Sequence, residues 1–275
     1  MLQTKEKYEK FLDKRGKYFV PLTDDLLFKE TFGKEENRRF LEDILECYNG
    51  YQKGYLKNKL DVKYEAVLDK IDYFNKAVRS DLLVKYDNTI TDIEMYKVYN
   101  EETELKSDYY VMRIYTSELQ IGEAYNTLSK TTQINFISED RIGISEDIKY
   151  TKEINRNITQ DYILLDNVGN KPYNGDKRFI KYLKFIGANS YEERCLIAEG
   201  DKILMDLNEW LDFYYNSDTN LKYLDDRYWD KRIYGLEGKK EVAQNMLRHG
   251  DNVKYISEVT GLSKEQLQKL EKEVG

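Results

Sequence analysis

The sequence predicts an α/β fold, and three observations predict it. Apolar residues recur at helical spacing in two early stretches, Leu26, Leu27, Phe28 and Phe32, then Phe40, Leu41, Ile44 and Leu45. Two runs rich in β-branched and aromatic residues, 81–84 and 90–98, flank Asp87-Asn88, which is good turn chemistry. A helical pattern over 109–119 then precedes a strand-like run over 131–137, and helix, hairpin, helix, strand is the order of an α/β core.

Taken in order, the segment up to about Lys17 is charged and mixed, and reads as a solvated helix or arm. Val20-Pro21-Leu22-Thr23-Asp24 leads into the first apolar helix, with Thr23 or Asp24 placed to cap it and Gly33 placed to end it. A second helix starts near Glu35 and completes an αα unit. Residues 60–67 are mixed, and the hairpin follows. Beyond Ile144, residues 161–166 read as a further strand. Ser190-Tyr191-Glu192-Glu193 has capping-box form and opens a helix carrying Leu196, Ile197, Leu204, Leu207, Trp210, Leu211 and Tyr214. Ser263-Lys264-Glu265-Gln266, after Gly261, repeats that logic near the C-terminus. With no internal repeat and no Gly/Ser/Pro linker, the expectation is one main domain over residues 1–185 and a helical C-terminal extension over 186–275.

Composition narrows the function classes. The chain has 275 residues, 40% hydrophobic and 35% charged, an ordinary globular mixture that should fold. Cys47 and Cys195 lie far apart with no CxxC spacing, so they read as buried free thiols rather than a disulfide or zinc knuckle. No apolar run approaches the roughly 18 residues needed to span a bilayer, and no signal-peptide h-region is present, which implies a cytoplasmic protein with no membrane partner. A net charge of −7 disfavours indiscriminate attraction to phosphate, so nucleic-acid binding needs a local basic patch or a metal ion. His249 is the single histidine, which leaves little room for Ser-His-Asp catalysis or histidine metal sites. Chemistry must rest on carboxylates, lysines and backbone groups.

The hairpin register singles out one pair of carboxylates. If the strands turn around Asp87-Asn88, Tyr86 faces Thr89, Val84 faces Thr91 and Asp81 faces Glu94. Directly opposed like charges are destabilising unless something compensates. A divalent cation is one compensation, and hard ions such as Mg²⁺ take carboxylate oxygens plus waters and a substrate phosphate. Such an ion activates water and stabilises charge on phosphorus. A solvated pair, or one bridged by a lysine, is the other reading of the same spacing.

The stretches Pro21-Leu22-Thr23-Asp24-Asp25-Leu26-Leu27-Phe28-Lys29-Glu30-Thr31-Phe32-Gly33, Arg79-Ser80-Asp81-Leu82-Leu83-Val84 and Asp92-Ile93-Glu94-Met95 resemble the Rpn family of recombination-promoting nucleases. These proteins are also described as transposases with a PD-(D/E)XK domain. Val242-Ala243, Leu247, Gly250, Ile256 and Thr260-Gly261-Leu262-Ser263 are similar to that family's C-terminal end. The resemblance implies a PD-(D/E)XK restriction-endonuclease-like core, with a mixed central sheet flanked by helices. It further implies a DNA endonuclease dependent on Mg²⁺ or Mn²⁺, with Asp81 and Glu94 as metal ligands and Arg79 or Lys97 assisting.

One position departs from the pattern. The family reads Glu-x-Gln, and the wider superfamily Glu-x-Lys, where this chain has Tyr96. By strand alternation Tyr96 shares Glu94's face, whereas Lys97 points to the other face unless a bulge turns it round. The same register sets Arg79 opposite Tyr96 if pairing extends that far. A catalytically degenerate pseudo-nuclease, binding nucleic acid, a nucleotide or a defence-system protein, is therefore the alternative reading. Lys29 and Glu30 are further candidates to reach the site from the first helix, with helix surface as their default. Lys264, Gln266 and Lys269 could face DNA, though packing on their own domain is preferred. The resemblance also implies DNA as partner, a bacterial or phage setting, and a role in recombination, mobile elements or phage-bacteria conflict. A homodimer is expected if both strands of a duplex are cut.

Overall fold

The computed structural model describes residues 14–68, 78–118, 124–217 and most of 239–271, so the expected N-terminal arm lies almost wholly outside the described residues. Two compact units are present, within Met1–Phe213 and within Tyr214–Gly275.

Helix α1 (Asp25–Gly33) starts where Asp24 accepts the Leu27 N–H at 3.1 Å, one of the two predicted caps. It ends at Gly33, where a Cβ would lie 2.5 Å from the Tyr64 ring, so only glycine permits this close approach to the sheet. A 3₁₀ turn (Glu35–Asn37) and α2 (Arg38–Asn49) complete the predicted helix pair.

The sheet contains β1 (Asp61–Leu68), β2 (Val78–Tyr86), β3 (Thr89–Tyr96), β4 (Lys130–Ile137), β5 (Lys149–Asn155) and β6 (Ile158–Leu164). Its order is β1-β2-β3-β4-β6-β5. The β1–β2, β2–β3 and β5–β6 pairs are antiparallel, whereas β3, β4 and β6 run parallel. This is the mixed α/β sheet expected of a PD-(D/E)XK-like fold.

Helices cover both faces. On one, Phe28 and Phe32 of α1, Leu41 and Ile44 of α2, and Phe179 of α4 (Lys177–Gly187) meet Leu82, Ile93, Ile134 and Phe136. On the other lies α3 (Glu101–Thr116), where Ile114 packs with Ala66, Leu83 and Ile90. The sequence places this helix over 109–119, but it begins eight residues earlier. Asn100 and Thr103 form a reciprocal capping box there that apolar periodicity does not register.

The single helix expected after Ser190 is two, α5 (Tyr191–Ala198) and α6 (Lys202–Asn216). Gly200 breaks it at φ +72°, and Asp201 recaps the chain by accepting the Ile203 and Leu204 N–H groups. Edge strand β5 and helix α4 carried no sequence expectation. In the second unit, α7 (Val253–Thr260) contributes Ile256 to a core with Ala243, Leu262, Leu267 and Leu270. Among the described residues no helix is long and apolar enough to cross a membrane. Cys47 and Cys195 are free thiols, the first buried and the second only partly so.

Candidate active site

The hairpin turns at Asp87, whose φ of +49° an aspartate tolerates, and pairs Tyr86 with Thr89 and Val84 with Thr91 as expected. Regular pairing stops at Leu82 and Ile93, one step short of Asp81 and Glu94. On its other side β2 pairs Leu82 with Tyr64 and Ser80 with Ala66 but skips Asp81. The facing residue, Glu65, has φ +46°, an unusual value for glutamate that kinks β1 at this step.

Side chains replace the missing ladder bonds. Glu94 Oε1 accepts the Asp81 N–H at 3.0 Å, and Asp81 Oδ2 accepts the Met95 N–H at 3.2 Å. Each acid thus holds backbone of the opposite strand, and the two are locked together at one end of the sheet. This corrects the picture of a simple directly opposed pair.

The remaining oxygens face ammonium groups. Lys29, from α1, places Nζ 2.8 Å from Asp81 Oδ1 and 2.8 Å from Asp25 Oδ1. Lys106, from α3, places Nζ 3.5 Å from Glu94 Oε2. A helix on each face of the sheet therefore sends one lysine to one carboxylate. Glu30, the other α1 candidate, turns away to the Tyr64 hydroxyl and to Lys34.

Burial dominates the electrostatics. Glu94 is 1% exposed, and burial pushes its carboxyl well above the usual range, with Asp92 and Asp81 adding to the shift and Lys106 opposing it. Burial also raises Asp81, against the pull of Lys29. Asp92 is pushed up to about 6 by burial, although Ser80 and Gln133 hydrogen-bond to it. Burial works against the charge on Lys29 and on Lys106, but Asp81 and Glu94 respectively hold both ammoniums above their ordinary value.

The other sequence candidates sit differently. Arg79 is exposed and bonds Glu65 at 3.1 Å, a surface ion pair. Lys97 is exposed just past β3. Among the described residues neither is hydrogen-bonded or ion-paired to Asp81 or Glu94. Tyr96 is buried, packs edge-on against Tyr99, and its hydroxyl has no hydrogen-bond partner among the described residues. Burial raises that hydroxyl well above its ordinary value, with Glu94 and Asp92 adding to the shift. Lys264 and Gln266 lie outside the described residues, and Lys269 is exposed in the second unit.

Sequence reasoning missed Lys106, and it missed Asp92 as more than a motif neighbour. Asp92 anchors a buried polar chain. Gln133 Nε2 donates to Asp92 at 2.8 Å, Gln160 Nε2 donates to Gln133 Oε1 at 3.0 Å, and Ser107 Oγ donates to the same oxygen at 2.6 Å. Polar residues at matching positions of β3, β4 and β6 were the available signal for it.

The donor chemistry suits a hard divalent cation. Among the described residues Asp81 Oδ1 and Glu94 Oε2 carry no backbone hydrogen bond, and each already attracts a positive group. No group of three or more His, Cys, Asp or Glu side chains arranged for a metal occurs among the described residues, so the candidate side-chain donors here are these two carboxylates.

A mixed α/β sheet thus carries two locked acids at the junction of an antiparallel and a parallel strand pair, the arrangement expected of a PD-(D/E)XK-like fold. Residues 22–228 match the family described as PD-(D/E)XK nuclease family transposase. The chain belongs to that family. Neither a curated protein nor a solved structure matches it.

Proposed function

We propose that the protein is a Mg²⁺- or Mn²⁺-dependent DNA endonuclease in which Asp81 and Glu94 hold the metal. The observation that carries this reading is the reciprocal lock between the two acids, which leaves one oxygen of each directed to a cation. A bound divalent ion supplies Lewis-acid stabilisation of phosphoryl charge and acidifies water. The protein's part is to fix the two carboxylates on strands rather than loops. In the reaction a water adds to phosphorus, the bond from phosphorus to the leaving sugar oxygen breaks, and that oxygen gains a proton.

Arg79 and Lys97, exposed at this end of the sheet, would assist by meeting the nucleic-acid backbone. Tyr96 serves packing. The reading implies a cytoplasmic protein acting on DNA in recombination, mobile-element transfer or phage conflict, with a homodimer serving duplex cleavage. The compact boundary near Phe213 also favours assigning the nuclease core beyond residue 185, with the helical extension reduced to the remainder.

A second reading is favoured by Tyr96 and by the lysines on both acids: a pseudo-nuclease that keeps the fold as a binding or inhibitory module. Nicking of supercoiled plasmid with Mg²⁺ or Mn²⁺ separates the two. Wild type should cut and Asp81→Ala should not. Cutting that survives Asp81→Ala sinks the site assignment, and a wild type that neither cuts nor binds metal favours the pseudo-nuclease.

A further inference from the structure

We infer that Lys106 is the residue that meets the reacting phosphate beside Asp81 and Glu94, an extension that rests on the nuclease reading above. Two buried acids repel a phosphodiester, so a substrate reaching Glu94 needs fixed positive charge at the point of approach. Among the described residues, Arg79, Lys97, Lys29 and Lys106 are cationic side chains near the two acids, and their geometry distinguishes them.

Arg79 is engaged with Glu65, and Lys97 touches neither acid. Lys29 is 11% exposed and has two of its three donors committed to Asp25 and Asp81 at 2.8 Å. It is an internal counter-ion with little left to offer. Lys106 has a single long contact of 3.5 Å to Glu94, and its side chain is 39% exposed while that acid is 1% exposed. Its ammonium is therefore reachable from solvent while the carboxylate it contacts is not.

The surroundings hold it there. The ammonium lies 4.7 Å from the Tyr110 ring and 5.3 Å from the Tyr96 ring, both electron-rich faces that attract a cation. The next residue, Ser107, is buried and donates to Gln133 and Asn135, which fixes this turn of α3 against the sheet. A strand position beside Glu94 filled by an aromatic ring is thereby paired with a lysine from the helix packed above it. Lysine is a compact point charge suited to a phosphate oxygen.

The test compares wild type, Lys106→Met, Lys106→Arg and Asp81→Ala, each shown to be folded by thermal melting. It measures Mn²⁺-dependent cleavage of a short duplex, Mn²⁺ binding by calorimetry, and affinity for the labelled duplex in Ca²⁺. Lys106→Met should lower kcat about a hundredfold, the scale of losing one charge-stabilising group, with a smaller change in KM. It should still bind Mn²⁺, and Lys106→Arg should recover part of the rate.

Wild-type kcat and duplex affinity in Lys106→Met, with Asp81→Ala inactive, would overturn the inference and leave the nuclease reading standing. If wild type binds the duplex without cutting it, the nuclease reading falls and affinity decides for Lys106. A loss of about tenfold in Lys106→Met then supports phosphate contact, and no loss overturns it. If wild type does not bind the duplex at all, both fall.

Discussion

Lys29 and Asp81 form an ion pair with little access to solvent, so removing one partner leaves an unpaired charge in the interior. Lys29→Met should destabilise the protein by about 3 kcal/mol in urea unfolding, and adding Asp81→Asn should recover much of that loss. Tyr96 presents the opposite case, because its buried hydroxyl has no hydrogen-bond partner among the described residues. Tyr96→Phe should leave the unfolding midpoint unchanged or raise it slightly. Cys47 has its thiol pushed up to about 12 from 9.0, by burial first and by Asp43 next. A raised folded value means that the protonated form favours folding, so this contribution is complete below about pH 9 and fades as pH rises toward 12. Native protein at pH 8 should therefore leave Cys47 unlabelled by iodoacetamide, with labelling appearing in denaturant, as mass spectrometry would read.

At the scale of elements, the site depends on how α1 and α3 are seated. Asp24 caps α1 one turn before Lys29, and Asp24→Ala should cost about 1 kcal/mol of stability. The polar chain under α3 is more demanding, since every member is buried. Gln133→Leu would remove the donor to Asp92 Oδ2, leaving Asp92 with Ser80 and Gln160 with Ser107, and a loss of about 1 to 3 kcal/mol is expected in denaturant unfolding. Elements with a strong local pattern were readable in advance. The α1 cap, the α2 stripe and the hairpin register follow from side chains within a few residues of one another. Strand β5, with the sequence Lys-Tyr-Thr-Lys-Glu-Ile-Asn, was not readable, because an exposed edge strand has no apolar alternation to mark it. The kink at Glu65 was equally silent, because no local residue pattern marks a positive φ at a glutamate.

Across the whole molecule, a net charge of −7 means that DNA cannot be held by overall attraction. The nuclease reading then predicts that duplex affinity, followed by anisotropy, falls sharply when EDTA removes divalent ions. The sequence by itself determined the α/β class, the order of the first elements, and Asp81 and Glu94 as the acids worth following. Periodicity, caps and hairpin register are short-range properties, so a linear reading suffices for them. Only the tertiary structure decided that the acids lock through each other's backbone, that Lys29 and not Glu30 reaches them, and that Lys106 arrives from the opposite face. Nothing in the composition of α3 separates Lys106 from the other lysines of the chain. Its role is set by which turn of that helix Ser107 fixes to the sheet, a contact between residues distant in sequence and adjacent only after folding.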